Sequence, residues 1–155
     1  MIKRLRLPLI IALLAGVAVL FQAFHRPGAV SAAFAGEPEL IAATFSSEWC
    51  ASCRVLKPNL ARVLPDFASK PVRFVEYDFT FGQTEAMRAQ ADADGVGDIY
   101  ARFKGATGFT VLVDADSGEI IDTLTMNHSP AAMAAALDDA LAVAEAHTDD
   151  PPKDI

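Results

Sequence analysis

The stretch Trp49-Cys50-Ala51-Ser52-Cys53 contains both cysteines of the 155-residue chain and separates two different sequence patterns. The run before it, Leu40 to Ser46, is short and apolar and ends in polar residues, as expected of a buried strand. After it, apolar side chains recur every three or four residues, which predicts a helix with one buried face. These positions are Cys53, Leu56, Leu60, Val63, Leu64 and Phe67. The cysteine pair is therefore predicted to lie at a strand–helix junction, with the helix starting at Cys50.

A cysteine at the start of a helix has distinctive chemistry. Unpaired N–H groups and the helix dipole favour an anion there, and such surroundings lower the pKa of a thiol and populate the nucleophilic thiolate. We therefore expect Cys50, at the exposed end, to attack disulfides and Cys53, on the buried face, to resolve the mixed disulfide. The alternatives are a structural disulfide, an inert pair and a metal site. A cross-link over so short a loop constrains the unfolded chain little, which favours the redox reading.

The rest of the chain alternates strands and helices. A second strand over Pro71 to Tyr77 follows the first helix, which predicts a parallel pair of strands joined by a crossover. The turn at Asp116-Ser117-Gly118 predicts an antiparallel hairpin between strands Phe109 to Val113 and Glu119 to Thr125. Three further helices are expected: Thr80 to Asp94, Ile99 to Lys104 behind an Asp98 cap, and one from Pro130 behind a Ser129 cap.

Residues 1–35 are predicted to be a signal peptide or an N-terminal membrane anchor. A basic start with Lys3, Arg4 and Arg6 precedes an apolar run from Leu7 to about Phe21. That run is slightly shorter than the roughly 20 residues that span a bilayer. Its length does not distinguish a cleaved signal peptide from a membrane anchor, and both alternatives stay open. In either case the positive flank stays inside and the remainder is exported. We expect residues 36–147 to form one periplasmic domain, soluble or tethered to the inner membrane, and residues 148–155 to form a disordered tail.

The predicted domain is strongly acidic. None of the 20 acidic residues and four of the 13 basic residues precede Gly36, which leaves nine basic against 20 acidic side chains and a net charge of −11. Such a charge argues against binding to nucleic acid or to an anionic membrane surface.

The order βαβαββα, with Trp-Cys-x-x-Cys at the first strand–helix junction, resembles the thioredoxin superfamily, in particular its exported branch. The resemblance runs from about Leu40 to Ala146, and its most specific part is Glu48 to Arg54 followed by Pro58, where these proteins carry a kinking proline. It implies an α/β fold with a central mixed four-stranded sheet flanked by helices. It also implies a thiol–disulfide oxidoreductase with a redox-active Cys50–Cys53 disulfide and no cofactor. Protein disulfides would be its substrates and a membrane protein its electron donor, since the relatives it most resembles are reductants.

Three positions depart from the family pattern. Thr44 stands where the family has a buried aspartate that helps to deprotonate the second cysteine, and Phe74 stands where its lysine partner would be. Gly108-Phe109-Thr110 lies where the family has a cis-proline at the start of the third strand. A cis bond before Phe109 would cost about 2.5–4 kcal/mol, so a trans bond is expected. The Phe109 ring is expected to fill space near the two cysteines.

Four other side chains have predicted supporting roles. Trp49 is expected either to shield the cysteine pair or to be an ordinary core aromatic residue. Arg54 and Lys57 either add positive charge near the thiolate or form a solvated helix face. Glu76, near the end of the second strand, is either an exposed carboxylate or a base that acts on the cysteines.

Met126 and His128 follow the fourth predicted strand and suggest an alternative function. Together with Cys50 and Cys53 they would form a soft sulfur and nitrogen ligand set suited to copper(I). The chain would then be a metal-handling protein on the same fold. An ordinary loop before the Ser129 cap also accounts for both residues. His147 is assigned to the start of the tail and suggests no ligand site.

Overall fold

The computed structural model describes residues 36–148. The predicted signal peptide or anchor and residues 149–155 of the predicted tail lie outside the described residues. The strands are β1 (Leu40–Ser46), β2 (Val72–Asp78), β3 (Phe109–Asp114) and β4 (Ile120–Thr125). The helices are α1 (Cys53–Val63), α2 (Glu85–Ala93), α3 (Gly97–Phe103) and α4 (Pro130–Thr148), with a 3-10 helix over Leu64–Phe67. Within 36–148, no helix is both long enough and apolar enough to cross a bilayer.

The four strands form one mixed sheet in the order β2-β1-β3-β4. Strand β1 pairs with β2 in parallel and with β3 in antiparallel orientation, and β3 and β4 form the antiparallel hairpin. All seven residues of β1 are buried, as expected of a central strand covered on both faces. The predicted α/β class and the central mixed four-stranded sheet are confirmed.

Alternate residues of β1 belong to two different hydrophobic clusters because successive side chains of a strand point to opposite faces. Leu40 and Ala42 pack with side chains of α1 and α4. Ile41, Ala43 and Phe45 pack in a cluster with side chains of α2 and α3. The cysteine-bearing helix α1 therefore covers one face of the sheet, and the cluster around Phe45 covers the other.

The helix boundaries differ from the predicted ones. Helix α1 begins at Cys53 rather than Cys50, and it changes to 3-10 geometry after Val63 because Pro65 has no N–H for a further helical bond. Helix α2 begins only at Glu85, where the Thr84 hydroxyl accepts a hydrogen bond from the Met87 N–H at 3.0 Å. Helix α3 begins two residues before Ile99.

The last helix is longer than predicted. The Ser129 cap is confirmed, since its hydroxyl accepts a hydrogen bond from the Ala132 N–H at 3.2 Å. The helix continues through Thr148, so the assignment of His147 to the tail is wrong. The His147 Nδ1 atom lies 2.8 Å from a carboxylate oxygen of Asp114, and this contact ties the last turn of α4 to the end of β3.

Candidate active site

The two sulfur atoms at the β1–α1 junction are joined in a disulfide, with Cα atoms 5.3 Å apart. Cys50 lies in the turn before the helix, where its N–H donates to the Ser47 carbonyl at 3.3 Å. The Cys53 N–H, the first of α1, lies 3.2 Å from the Cys50 sulfur. A free N–H of the helix N-terminus is thus directed at Cys50, which is the environment that favours a thiolate after reduction.

Both sulfurs are shielded from solvent. Cys50 is 7% exposed and Cys53 is 2% exposed, so the expectation that Cys50 sits at an exposed end is wrong. The Ser52 Oγ lies 3.6 Å from the Cys50 sulfur, and the backbone at Gly108 passes the same sulfur. Cys50 remains the more accessible of the two, and opening the disulfide would take up two electrons and two protons.

The trans bond before Phe109 is confirmed, since residues 36–148 contain no cis peptide bond. The expectation that its ring fills space near the cysteines is wrong. The ring packs against Phe45 and Phe103, with centroid distances of 5.2 and 5.3 Å. Phe109 pairs with Phe45 across β1 and β3, and paired side chains lie on the same face of a sheet. That face is opposite to α1, so Gly108 and not Phe109 faces the Cys50 sulfur.

Trp49 is not a core aromatic residue, because 64% of it is exposed. Its indole N–H donates to the Thr80 carbonyl at 3.3 Å, and the Glu48 N–H donates to the Thr80 hydroxyl at 2.8 Å. These two bonds connect the motif to the loop that follows β2. Phe81 in that loop is 96% exposed, and no periodicity in the sequence singled it out. A role for Trp49 beside the disulfide stays a prediction.

The charged side chains of α1 differ in their surroundings. Arg54 is exposed, whereas the Lys57 ammonium lies 2.5 Å from a carboxylate oxygen of Glu76 on β2. The same oxygen accepts a hydrogen bond from the Ser46 hydroxyl at 2.5 Å. Glu76 is therefore bound to both neighbouring elements, and its reading as an exposed strand carboxylate is wrong. Pro58 lies inside α1 as predicted.

A cavity of about 290 Å³ lies between α1 and the strands β1 and β2. Leu60, Phe74, Lys57 and Glu76 contribute to its lining together with Thr44. The Thr44 hydroxyl is buried and lies 2.8 Å from the Thr110 hydroxyl. The two hydroxyls thus satisfy each other, and the one ion pair of the cavity lining is Lys57–Glu76.

The loop after β4 carries the two suggested metal ligands Met126 and His128, which differ in their surroundings. Met126 is about half exposed. The His128 Nδ1 atom accepts a hydrogen bond from the Thr125 N–H at 3.1 Å, and the Asn59 amide of α1 donates to the His128 carbonyl at 3.4 Å. The part of the chain that the structure describes contains no group of three or more His, Cys, Asp or Glu side chains arranged to hold a metal ion. The four-residue set with Cys50 and Cys53 stays a prediction.

No protein-family model and no curated protein sequence matches the chain. Among solved structures, it is similar to a thioredoxin-family thiol:disulfide interchange protein from Chlorobium tepidum TLS, with 21% identity, a TM-score of 0.47, and coverage of 66% of this chain and 80% of that one. It is also similar to StoA from Bacillus subtilis, with 15% identity, a TM-score of 0.46, and coverage of 66% and 84%. It is similar as well to thioredoxin from Malassezia sympodialis, with 17% identity, a TM-score of 0.44, and coverage of 70% of this chain and 80% of that one. Its own strand order and the place of its cysteine pair give this chain a thioredoxin-like fold.

Proposed function

We propose that the chain is an exported thiol–disulfide oxidoreductase that reduces disulfides of other proteins. In the reduced form, the Cys50 thiolate attacks a substrate disulfide and forms a mixed disulfide, releasing one substrate thiol. Cys53 then attacks Cys50, which releases the second substrate thiol and restores the Cys50–Cys53 disulfide. The substrate gains two electrons and two protons, and a dithiol donor must return them to the cysteine pair before the next cycle.

The observation that carries this proposal is the helix N–H directed at one sulfur of the disulfide. The 3.2 Å contact between the Cys53 N–H and the Cys50 sulfur would stabilise the Cys50 thiolate once the disulfide is opened. A merely structural disulfide accounts for the pair less well, because its loop spans only a sequence separation of 3 and restricts the unfolded chain little. The smaller exposure of Cys53 suits a thiol that reacts only within the chain.

Export and a membrane electron donor are the less direct parts of the proposal. They are supported by the basic and apolar pattern of residues 1–35 and by the absence of acidic residues before Gly36. The preference for reduction over oxidation is supported by the resemblance to exported reductants, and the reduction potential of the pair will decide it. Cell fractionation of the full chain, with sizing of the mature protein, tests export and cleavage.

Trapping of substrates tests the exchange reaction itself. A Cys53→Ser variant retains the attacking thiol and lacks the resolving one, so it should accumulate mixed disulfides that a reductant dissolves. The double variant Cys50→Ser, Cys53→Ser is the matched control and should give no adducts. If non-reducing gels show no adduct that depends on Cys50, disulfide exchange with proteins is not the function.

Titration of the fully reduced chain with copper(I) and with zinc compares the proposal with metal handling. If the chain only exchanges disulfides, Met126 and His128 should make no contribution to its metal affinity. Affinity that falls when either residue is replaced by alanine would favour the metal-handling function instead.

A further inference from the structure

Resolution of the mixed disulfide creates a specific chemical demand, if the proposed function is correct. Cys53 must lose its proton before it can attack Cys50, because the thiolate is the nucleophile. Cys53 is buried in the described fold, and burial disfavours the charged form of a thiol. A proton acceptor within reach of this sulfur would therefore speed resolution.

The buried polar side chains of the described residues do not meet this demand. Four of the five carry only hydroxyl groups, and the fifth is Asp114; the set is Thr44, Ser46, Ser47, Thr110 and Asp114. Asp114 pairs with Leu40, the first residue of β1, whereas the cysteines follow the last residue of β1. The buried carboxylate thus lies at the opposite end of the sheet from the cysteine pair.

Glu76 is placed differently, at the same end of β1 as the disulfide. It is paired with Thr44 across β1 and β2, and it is bound by the hydroxyl of Ser46 and the ammonium of Lys57. Two elements besides its own strand therefore hold this carboxylate in one position, although 21% of its side chain remains exposed. A fixed carboxylate with access to solvent can both take up a proton and pass it on.

Helix geometry connects this ion pair to Cys53. Lys57 follows Cys53 by four residues in α1, and side chains at this spacing are neighbours on one helix face, with Cβ atoms about 5–6 Å apart. Leu60, on the same stripe as Cys53, lines the cavity together with Lys57 and Glu76. The Lys57 side chain therefore starts about one helical turn from the resolving thiol, and its ion pair with Glu76 lies on the side of the cavity.

We propose that Glu76, held by Lys57 and Ser46, is the acceptor for the Cys53 proton when the mixed disulfide is resolved. The S–H bond of Cys53 breaks and its proton goes to the Glu76 carboxylate. The freed electron pair forms the bond to the Cys50 sulfur, and the bond from Cys50 to the substrate sulfur breaks and leaves a substrate thiolate. Lys57 and Ser46 hold the Glu76 side chain in place throughout, and Glu76 returns its proton to solvent.

The elements around this site carry few charged side chains. Helix α1 carries Arg54, Lys57 and Arg62, β2 carries Arg73, Glu76 and Asp78, and β1 carries none but is followed by the exposed Glu48. The His128 ring of the loop after β4 is bound to Thr125. Among these groups, Lys57 is the charged partner that contacts Glu76.

Stopped-flow reaction with the chromogenic disulfide 5,5′-dithiobis(2-nitrobenzoate) separates the two steps. One equivalent is mixed with the fully reduced chain. Attack by Cys50 releases the first coloured thiolate, and resolution by Cys53 releases the second at a rate independent of reagent concentration. A Cys53→Ser variant, which should show the first release only, identifies the second phase.

Replacement of Glu76 by glutamine should slow the second phase at pH 7 by about a hundredfold, the lower end of what a positioned base contributes. The difference from wild type should shrink as the pH rises to about 9 and above, because the Cys53 proton is then lost more readily without help from Glu76. Lys57→Met, which keeps the aliphatic stem, should slow the second phase in the same manner. Glu76→Asp, which keeps a carboxylate, should recover part of the rate. The matched control is Asp138→Asn, which breaks the ion pair of Asp138 with Lys70 and should leave the second phase unchanged.

The outcomes separate this inference from the proposed function. Equal second-phase rates for wild type and Glu76→Gln at pH 7 would overturn the role of Glu76 while leaving disulfide exchange intact. A second-phase rate of Glu76→Gln that is low but keeps the wild-type pH profile would assign Glu76 a structural role only. This result would also overturn its role as proton acceptor. Should Glu76→Gln not fold, the Lys57→Met variant decides, and a second phase with the wild-type rate and pH profile in that variant contradicts the inference. Absence of any second phase in the wild-type chain would instead contradict the proposed function.

Discussion

Gly108 lies so close to Cys50 that a Cβ atom on its Cα would come within 3.4 Å of the Cys50 sulfur. The same atom would lie 2.5 Å from the Ser52 hydroxyl, closer than side-chain carbons approach in folded proteins. Gly108 also has a φ of +102°, which residues with a side chain rarely adopt. Both conditions make glycine the residue that fits beside this disulfide, and they leave backbone rather than side chain in contact with the sulfur.

A Gly108→Ala variant should therefore be damaged in two ways. The positive φ alone should cost about 1–2 kcal/mol, and the contact with Ser52 should cost more and displace the turn that holds Cys50. Gly118→Ala is the matched control, because Gly118 has a φ of +71° and a Cβ atom there would have no neighbour within 4 Å. Denaturant unfolding of both variants, with the rate of Cys50 attack on the chromogenic disulfide, measures the two effects. Equal stability and equal attack rates in the two variants would show that the contact beside Cys50 is unimportant.

Phe109→Ala tests whether Phe109 serves the aromatic cluster or the cysteine site. Loss of its ring from Phe45 and Phe103 should lower the free energy of unfolding by about 3 kcal/mol, the low end for a phenylalanine because the ring is only partly buried. Phe109→Pro should be at least as unstable, since it also removes a strand N–H, and it should exchange disulfides no faster. The control Phe81→Ala removes a ring that is 96% exposed and should change stability by less than about 0.5 kcal/mol. A stable Phe109→Pro variant with much faster exchange would mean that the native chain lacks a complete substrate groove.

The sequence was sufficient for the sheet and for the position of the cysteine pair, because these depend on local patterns. The strand Leu40–Ser46 was predicted with its observed bounds, since a short apolar run between polar residues is typical of a buried strand. The turn residues Asp116-Ser117-Gly118 likewise predicted the antiparallel hairpin of β3 and β4. Local chemistry also located the Ser129 cap at the start of the last helix.

The predictions that were wrong for Phe109, His147 and Glu76 all depend on contacts between residues distant in the sequence. The side of the sheet that the Phe109 ring occupies depends on its register with Phe45, and no pattern within β3 specifies that register. The bond from His147 to Asp114 joins residues 33 positions apart, and a short polar ending after an alanine-rich helix is also typical of a tail. Glu76 alternates with apolar neighbours in its strand, so only the position of α1 shows that Lys57 covers it.

Alkylation of the fully reduced chain should modify Cys50 before Cys53. Cys50 is the more exposed cysteine residue and its sulfur receives the helix N–H, while Cys53 lies on the buried stripe of α1. Brief treatment with iodoacetamide near neutral pH, followed by peptide mass spectrometry, should find about tenfold more label on Cys50, as expected when one thiol has far more thiolate character. The single variants Cys50→Ser and Cys53→Ser supply the reference rates. Predominant labelling of Cys53 would reverse the two roles.

At the other end of the sheet, Asp114 forms a buried polar anchor for α4. The residue is 1% exposed, and its Oδ1 atom accepts hydrogen bonds from the backbone N–H groups of Asp116 and Ser117, both at 2.9 Å. Burial alone would raise the pKa of this carboxyl group. The hydrogen bonds from the Ser117 backbone, the His147 side chain and the Asp116 backbone outweigh burial, and the net effect is a lowered pKa.

A lowered pKa in the folded state makes Asp114 a source of stability that depends on pH. The ionised form is bound more strongly in the folded than in the unfolded chain, where an aspartate titrates near pH 3.9. Its contribution should be complete above about pH 5 and should fall as the pH drops below 3.9 and through the folded-state pKa. Unfolding of wild type and Asp114→Asn by denaturant at pH 5, 4 and 3 should show a stability difference that is largest at pH 5 and shrinks as the pH falls. The control Asp139→Asn replaces an exposed carboxylate of the same helix α4 and should show little difference at any pH. A difference for Asp114→Asn that is independent of pH would mean that shape, and not the charge of the carboxylate, holds the end of α4 to β3.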